Sequence, residues 1–188
     1  MHITHCQIYL VEIKQTSPLA PYRSHIRTTD TTTKAIVELI TDTGIVGWGE
    51  HNQNFLDGIS IAAQNSAATE FIDGWDPYNI EQFHVENPFD TRLRCGLEMA
   101  MWDIIGKANN LPLYQMLGGK VRERIALAAC MGIQSYEKAG EMARWYVEQG
   151  FTALKTKAGS DAQEDLDMVR GVRDAVGDQL KLRIDPNR

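Results

Sequence analysis

The first third of the chain has a hydrophobic pattern that predicts a small sheet. Residues 2–13 and 33–41 are rich in β-branched and aromatic side chains, and the second run ends at Asp42-Thr43-Gly44 before residues 45–48 return. We therefore predict an antiparallel meander. The polar loop between its first two strands, about residues 15–31, is too long for a plain hairpin and is a candidate functional flap.

Helical periodicity follows this sheet. It predicts a helix over residues 59–72, a short turn after Asp76-Pro77, a long helix over residues 91–108, and a short helix from Pro112 that ends at Gly118-Gly119. In the long helix, apolar residues recur at a spacing that predicts a core stripe: Leu93, Leu97, Met101, Ile104 and Ala108.

From Arg124 onward, strands and helices alternate. The predicted strands are residues 125–131, 152–157 and 180–185, and the predicted helices between them are residues 135–149 and 161–176. This order is typical of a parallel sheet. We predict an α+β segment over residues 1–120 and a second domain over residues 121–188, which could be half of a doubly wound sheet or the start of a barrel.

Composition and charge narrow the classes of function. The 188 residues are 43% hydrophobic, which is typical of a globular core, and the formal net charge of -6 comes without a run of Lys and Arg. We therefore expect no nucleic-acid partner. No apolar run approaches the roughly 20 residues of a membrane helix, and the N-terminus lacks a secretory signal, so we expect a cytoplasmic protein without a membrane partner.

The three cysteines do not suggest a cross-linked or metal-binding framework. Cys6, Cys95 and Cys130 are odd in number and far apart in the chain. We expect them to be buried free thiols.

Charged side chains alternate with apolar ones in two predicted strands. Lys155 and Lys157 share one face of their strand, opposite Leu154 and Thr156. In the next strand, the face opposite Leu182 and Ile184 carries three polar residues, Arg183, Asp185 and Asn187. Strands of a parallel sheet are usually apolar on both faces, so this alternation indicates a site.

The lysine pair and Asp185 suit acid-base chemistry. Charged groups that lose water need partners, and the carboxyl ends of parallel strands are where α/β proteins bind ligands. Each ammonium disfavours the charge of the other, and a neutral lysine can accept a proton, which makes Lys157 the candidate base. The alternative is structural: the lysines extend into solvent, and Asp185 caps the next segment.

Four motifs in order carry a family resemblance. They are Gly47-Trp48-Gly49-Glu50, the run from Glu98 through Trp102-Asp103 to Ala108 with Pro112-Leu113-Tyr114 and Leu117-Gly118-Gly119, then Lys155-Thr156-Lys157, and Asp185-Pro186-Asn187. Together they resemble the enolase superfamily, in its mandelate racemase and muconate-lactonizing branch. The resemblance implies an α+β capping domain followed by the first three βα units of a modified TIM-type (β/α)7β barrel, which would be incomplete here.

The resemblance also implies roles for the polar residues. Lys157 would move the proton α to a carboxylate, Lys155 would help to neutralise that carboxylate, and Asp185 would bind Mg²⁺, which stabilises the enediolate. Asn187 would lie near the substrate or the metal. We assign no catalytic role to the other motif residues: Trp102 and Asp103 would anchor the long helix against the barrel, and Gly49 with Glu50 would shape the turn that leads into the second loop.

Loops of the capping domain choose the substrate in similar proteins. By that resemblance, residues 15–31 and 51–58 would supply substrate contacts: Tyr22, Arg23, His25, His51 and Phe55. Each of these residues could equally be solvated or locally packed.

The resemblance implies a Mg²⁺-dependent dehydratase or racemase that acts on a small-molecule carboxylate, an acid sugar or hydroxy acid, in a homo-oligomer. A cycloisomerase of the muconate-lactonizing type or an amino-acid or dipeptide epimerase is the alternative. The further metal carboxylates and the partner acid-base residue would lie beyond Arg188, so we expect residues 1–188 to be inactive alone. A non-catalytic interaction module is the alternative from another class.

Overall fold

The computed structural model describes residues 1–52 and 60–186. The chain forms two compact units. Unit 1 comprises Met1–Ile13 and Thr32–Glu123, and unit 2 comprises Lys14–Thr31 and Arg124–Arg188. The loop segment Lys14–Thr31 thus groups with the strand-helix repeat, although it precedes that repeat by about a hundred residues.

The elements follow one another in the order that the sequence predicts, with a few additions. The strands are β1 (Ile3–Lys14), β2 (Tyr22–Arg23), β3 (Thr28–Thr29), β4 (Thr31–Thr41), β5 (Val46–Asn52), β6 (Ala129–Met131), β7 (Ala153–Lys157) and β8 (Lys181–Asp185). The helices are α1 (Ile61–Ile72), α2 (Ile80–Glu86), α3 (Thr91–Asn109), α4 (Leu113–Met116), α5 (Tyr136–Glu148) and α6 (Ala162–Val176). Among the described residues, no helix is long and apolar enough to cross a membrane.

Unit 1 is a sheet with helix α3 packed on it. The strand order is β1-β4-β5, and β4 pairs antiparallel with β5. Asp90 caps α3 by accepting hydrogen bonds from two backbone N–H groups of its first turn. The predicted stripe is buried at Leu93, Leu97, Met101 and Ile104, whereas Ala108 is exposed at the end of the helix.

Two glycines let α3 approach β5 closely. A Cβ atom on Gly49 would lie 1.9 Å from the backbone oxygen of Gly96, and one on Gly47 would lie 2.2 Å from that of Ala100. Only a residue without a side chain fits at such distances. Gly49 therefore serves helix packing, and the predicted role in shaping a turn was wrong. Asp103 adds a polar link, since its Oδ2 accepts a hydrogen bond from the backbone N–H of Trp48 at 2.9 Å.

Unit 2 contains a parallel sheet in the order β6-β7-β8. Helices α5 and α6 begin at side-chain caps, Ser135 and Asp161, and their apolar faces pack with the strands into one core. The segment Lys14–Thr31 contributes the short antiparallel pair of β2 and β3.

Two predicted elements differ from the structure. The turn expected after Asp76-Pro77 continues into helix α2, because Ile80 and Phe83 are three residues apart and both bury in the core of unit 1. The strand expected over residues 125–131 is formed only at Ala129–Met131. In the neighbouring strand β7, which begins at Ala153, the partner of Ala129 is Leu154. Residues 125–127 would therefore lie beyond the start of β7, where the sheet has no strand for them to pair with.

The expectation about the cysteines was right for one of them. Cys6 is buried, and burial raises the pKa of its thiol to about 11. Cys95 and Cys130 are exposed, so the prediction was wrong for these two.

Candidate active site in the second unit

Strand β7 carries its lysines on one face, as the alternation predicts. Leu154 and Thr156 are fully buried, and the hydroxyl of Thr156 is the donor toward both Lys157 O and Met168 Sδ. Lys155 and Lys157 alternate with them and are only partly exposed. The backbone of β7 therefore aims two cationic side chains away from the core.

Asp185 brings the two lysines together. The Nζ atom of Lys155 lies 2.6 Å from Asp185 Oδ2, and the Nζ atom of Lys157 lies 2.7 Å from the same oxygen. The register of the sheet explains this, because Lys157 and Asp185 are direct partners on β7 and β8. The Lys157 side chain is 16% exposed, against 31% for Lys155. Among the described residues, two lysine side chains thus share one carboxylate oxygen.

Tyr22 lies beside this cluster. Its hydroxyl is 3.4 Å from the Sγ atom of Cys130, which is the β6 neighbour of Lys155 in the sheet register. Burial, the contact with Cys130 and the negative charge of Asp185 all raise the pKa of Tyr22 above its ordinary value. The phenol therefore stays protonated at neutral pH and can donate a hydrogen bond.

Tyr146 supports the same strand from the core side. Its hydroxyl donates a 2.6 Å hydrogen bond to the carbonyl oxygen of Cys130. Burial, with a smaller contribution from Cys130, raises the pKa of Tyr146 to about 12. This phenol too is a neutral donor.

The other predicted substrate contacts have different surroundings. The Arg23 guanidinium forms a two-bond ion pair with the carboxylate of Glu164 in α6. His25 is partly buried, and among the described residues its Nδ1 has no hydrogen-bond partner. Phe55 and Asn187 lie outside the described residues.

His51 belongs to the core of unit 1. It lies in β5, is 4% exposed, and its ring would be 3.2 Å from a Cβ placed on Gly96 of α3. Burial lowers the pKa of His51, so the imidazole is neutral at neutral pH. These surroundings favour the packing alternative for this residue.

The described residues do not make a complete Mg²⁺ site. No three His, Cys, Asp or Glu side chains within residues 1–52 and 60–186 converge on one point. Asp185 has the right chemistry for a hard cation, but it would supply one ligand of the six that Mg²⁺ prefers.

The sequence patterns gave no site role to three residues that contact Tyr22 or Arg23: Cys130, Gly132 and Glu164. Cys130 alternates with the buried residues Ala129 and Met131, which would have placed it on the lysine face. Glu164 follows the capping residue Asp161 in the first turn of α6, where an acidic side chain is common for reasons of the helix dipole. The pairing of Glu164 with Arg23 leaves no pattern in the sequence around either residue, because the two lie far apart in the chain.

Family models place the chain in a known family. The N-terminal domain of the mandelate racemase / muconate lactonizing enzymes matches residues 7–118, and the enolase C-terminal domain-like family matches residues 137–188. The chain therefore belongs to the mandelate racemase and muconate-lactonizing branch of the enolase superfamily. This confirms the resemblance that the motifs carry.

Individual relatives are enzymes of this superfamily. The chain is 31% identical to the hydrophobic dipeptide epimerase of Enterococcus faecalis over 98% of its own length and 52% of that protein. It is 28% identical to the N-succinyl-L-Arg/Lys racemase of Bacillus cereus, covering 100% of this chain and 53% of the relative. It thus spans about half the length of these relatives. Other matching relatives are cycloisomerases and dehydratases.

A solved structure agrees with this assignment. The dipeptide epimerase of Enterococcus faecalis, crystallised with Mg and the dipeptide L-Leu-L-Tyr, matches with a TM-score of 0.88 and 30% identity. The match covers 100% of this chain and 54% of that one. The mixed α/β fold is therefore that of the enolase superfamily.

Proposed function

We propose that the whole protein is an enzyme that removes and returns the proton α to a carboxylate, with Lys157 as the base. In this proposal the β6-β7-β8 sheet is the start of the (β/α)7β barrel. The observation that supports it most is that Lys155 and Lys157 both contact Asp185 Oδ2 at the carboxyl ends of adjacent parallel strands. The same contacts alone would also fit a structural ion pair, and membership in the enolase superfamily is what favours a catalytic role for them.

The roles of the two lysines follow from their positions. Lys157 is the less exposed and lies at the end of β7, so it is the better placed to reach a carbon acid bound above the sheet. Proton removal next to a carboxylate places a second negative charge on the substrate. Lys155, as a fixed ammonium on the same face, favours that charge more in the transition state than in the ground state.

Mg²⁺ is part of this proposal through the family and not through a complete site in the described residues. When bound, the ion supplies charge stabilisation to the enediolate. Asp185 would be one of its oxygen ligands.

The reaction class that we favour is epimerisation or racemisation of an acylated amino acid or dipeptide. The relatives that motivate it are a dipeptide epimerase and an N-succinyl amino-acid racemase. This is the alternative that the sequence left open. Dehydration or racemisation of an acid sugar or hydroxy acid is the second candidate, and the relative that motivates it is an arabinonate dehydratase that is 34% identical over 49% of the chain.

Exchange of the α-proton in ²H₂O tests both readings. The full-length gene product with Mg²⁺ is incubated with hydrophobic dipeptides, N-succinyl amino acids, or acid sugars, and deuterium at the α-carbon is followed by NMR. We expect exchange with the acylated amino acids. Exchange confined to acid sugars, or their conversion to 2-keto acids, would move the protein to the second candidate, whereas neither exchange nor product with any class would favour a non-catalytic interaction module.

The remaining expectations on partners stay proposals. They are a homo-oligomeric assembly and a cytoplasmic location, and neither is needed for the chemistry above.

A further inference from the structure

The segment Lys14–Thr31 is held against the strand-helix repeat of unit 2 by contacts that the proposed reaction does not use. We propose that Arg23 and Glu164 form a clasp that positions Tyr22 beside Cys130 of β6, on the face of the sheet that carries Lys155, so that Arg23 and Glu164 are positioning residues and Arg23 is not a substrate ligand. The part that concerns substrate rests on the proposed function.

The backbone of Arg23 packs directly against Gly132. A Cβ atom on Gly132 would lie 2.6 Å from the Arg23 nitrogen and 2.7 Å from its oxygen, so no other residue type fits there without a backbone shift. The next residue, Ile133, donates its backbone N–H to the Arg23 carbonyl oxygen at 2.7 Å. The loop after β6 thus binds the backbone of β2 directly.

The side chain of Arg23 adds a second attachment. Its guanidinium binds both carboxylate oxygens of Glu164, with the Nη2 to Oε2 distance at 2.9 Å. A two-bond pair fixes direction as well as distance. Arg23 thereby attaches β2 to the first turn of α6 through Glu164, which lies 141 residues later in the chain.

These attachments determine where Tyr22 lies. Neighbouring side chains of a strand point to opposite sides, so fixing Arg23 on Glu164 sends the Tyr22 side chain the other way. There its hydroxyl lies 3.4 Å from Cys130 Sγ, which is the sheet neighbour of Lys155. The guanidinium of Arg23 pairs with Glu164, so Tyr22 is the residue of β2 whose side chain reaches Cys130, the sheet neighbour of Lys155.

Two readouts that need no activity test the clasp in the full-length protein. Hydrogen exchange of the Ile133 amide reports the backbone seat, and the alkylation rate of Cys130 by iodoacetamide, relative to exposed Cys95 in the same molecule, reports the position of Tyr22. The variants are Glu164→Gln and the charge-swapped pair Arg23→Glu with Glu164→Arg. The control is Glu137→Gln, the same change in the first turn of α5.

We expect Glu164→Gln to raise both rates by about fivefold, the effect of losing a partly exposed ion pair. The charge-swapped pair should restore most of that loss, and Glu137→Gln should change neither rate. Where exchange of a substrate α-proton is measurable, Glu164→Gln should raise KM more than it lowers kcat. Unchanged rates in Glu164→Gln, or equal changes in Glu137→Gln, would overturn the clasp even if the enzyme proves active. A clasp that passes these tests in an enzyme without proton exchange would overturn the proposed function instead.

Discussion

Gly49→Ala should be strongly destabilising, because the added methyl group meets backbone and not a movable side chain. Its Cβ would lie 1.9 Å from Gly96 O, where ordinary contact begins at 3.4 Å, so β5 and α3 would have to separate by about 1.5 Å. Overpacking of a core costs about 1–3 kcal/mol, and a clash that no rotamer relieves belongs at the upper end. We expect a loss of about 3 kcal/mol.

Chemical denaturation measures this loss, with Gly44→Ala as the matched control. A Cβ on Gly44 would meet nothing within 4 Å, but its φ of +79° lies in the left-handed region, so the same substitution there costs about 1–2 kcal/mol through backbone strain alone. At about 2–4 °C per kcal/mol, thermal melting of Gly49→Ala should fall by about 6–12 °C. A Gly49→Ala protein no less stable than Gly44→Ala would refute the close approach of helix and strand.

Two further predictions concern unit 1. Burial lowers the pKa of His51 in the folded protein; the charge of Arg92 lowers it further, and that of Asp90 raises it. The contribution of His51 to stability is therefore present above the unfolded pKa of about 6.5 and is lost as the pH falls below it. The free energy of unfolding should therefore fall between pH 7.5 and 5.5 more in the native protein than in His51→Leu, and equal slopes would argue against a buried imidazole. Asp90→Ala should cost about 1 kcal/mol in urea denaturation, since Asp90 Oδ1 caps α3 through Arg92 N and Leu93 N, whereas Asp90→Asn should retain most of it.

The sequence predicted the strands and helices well where one face of each is buried. In α3 the spacing of Leu93, Leu97, Met101 and Ile104 agrees with the buried face, and in β7 the alternation of Leu154 and Thr156 with the lysines agrees with the sheet. These patterns are local, so a single segment carries the whole signal.

Features that depend on distant contacts could not be read in the same way. The role of Gly49 depends on Gly96 in a helix that follows much later, and the partner of Arg23 is Glu164. Neither partner is marked by periodicity. The sequence predicted that Lys155, Lys157 and Asp185 lie near one another at the ends of neighbouring strands. It could not predict that both lysines contact the same oxygen, because this depends on the register of β7 and β8, which a sequence pattern does not specify.

The most direct test of Lys157 as the base is α-proton exchange in ²H₂O by the full-length Lys157→Met protein, compared with Lys181→Met. Lys181 is an exposed lysine at the start of β8, so its replacement removes one positive charge from the same sheet without touching the cluster. General base catalysis is worth about 10²–10⁴-fold, and we predict a loss of at least that size in Lys157→Met for the epimer whose α-proton Lys157 removes, with near-native exchange of both epimers in Lys181→Met. Near-native exchange of both epimers in Lys157→Met would contradict the assignment.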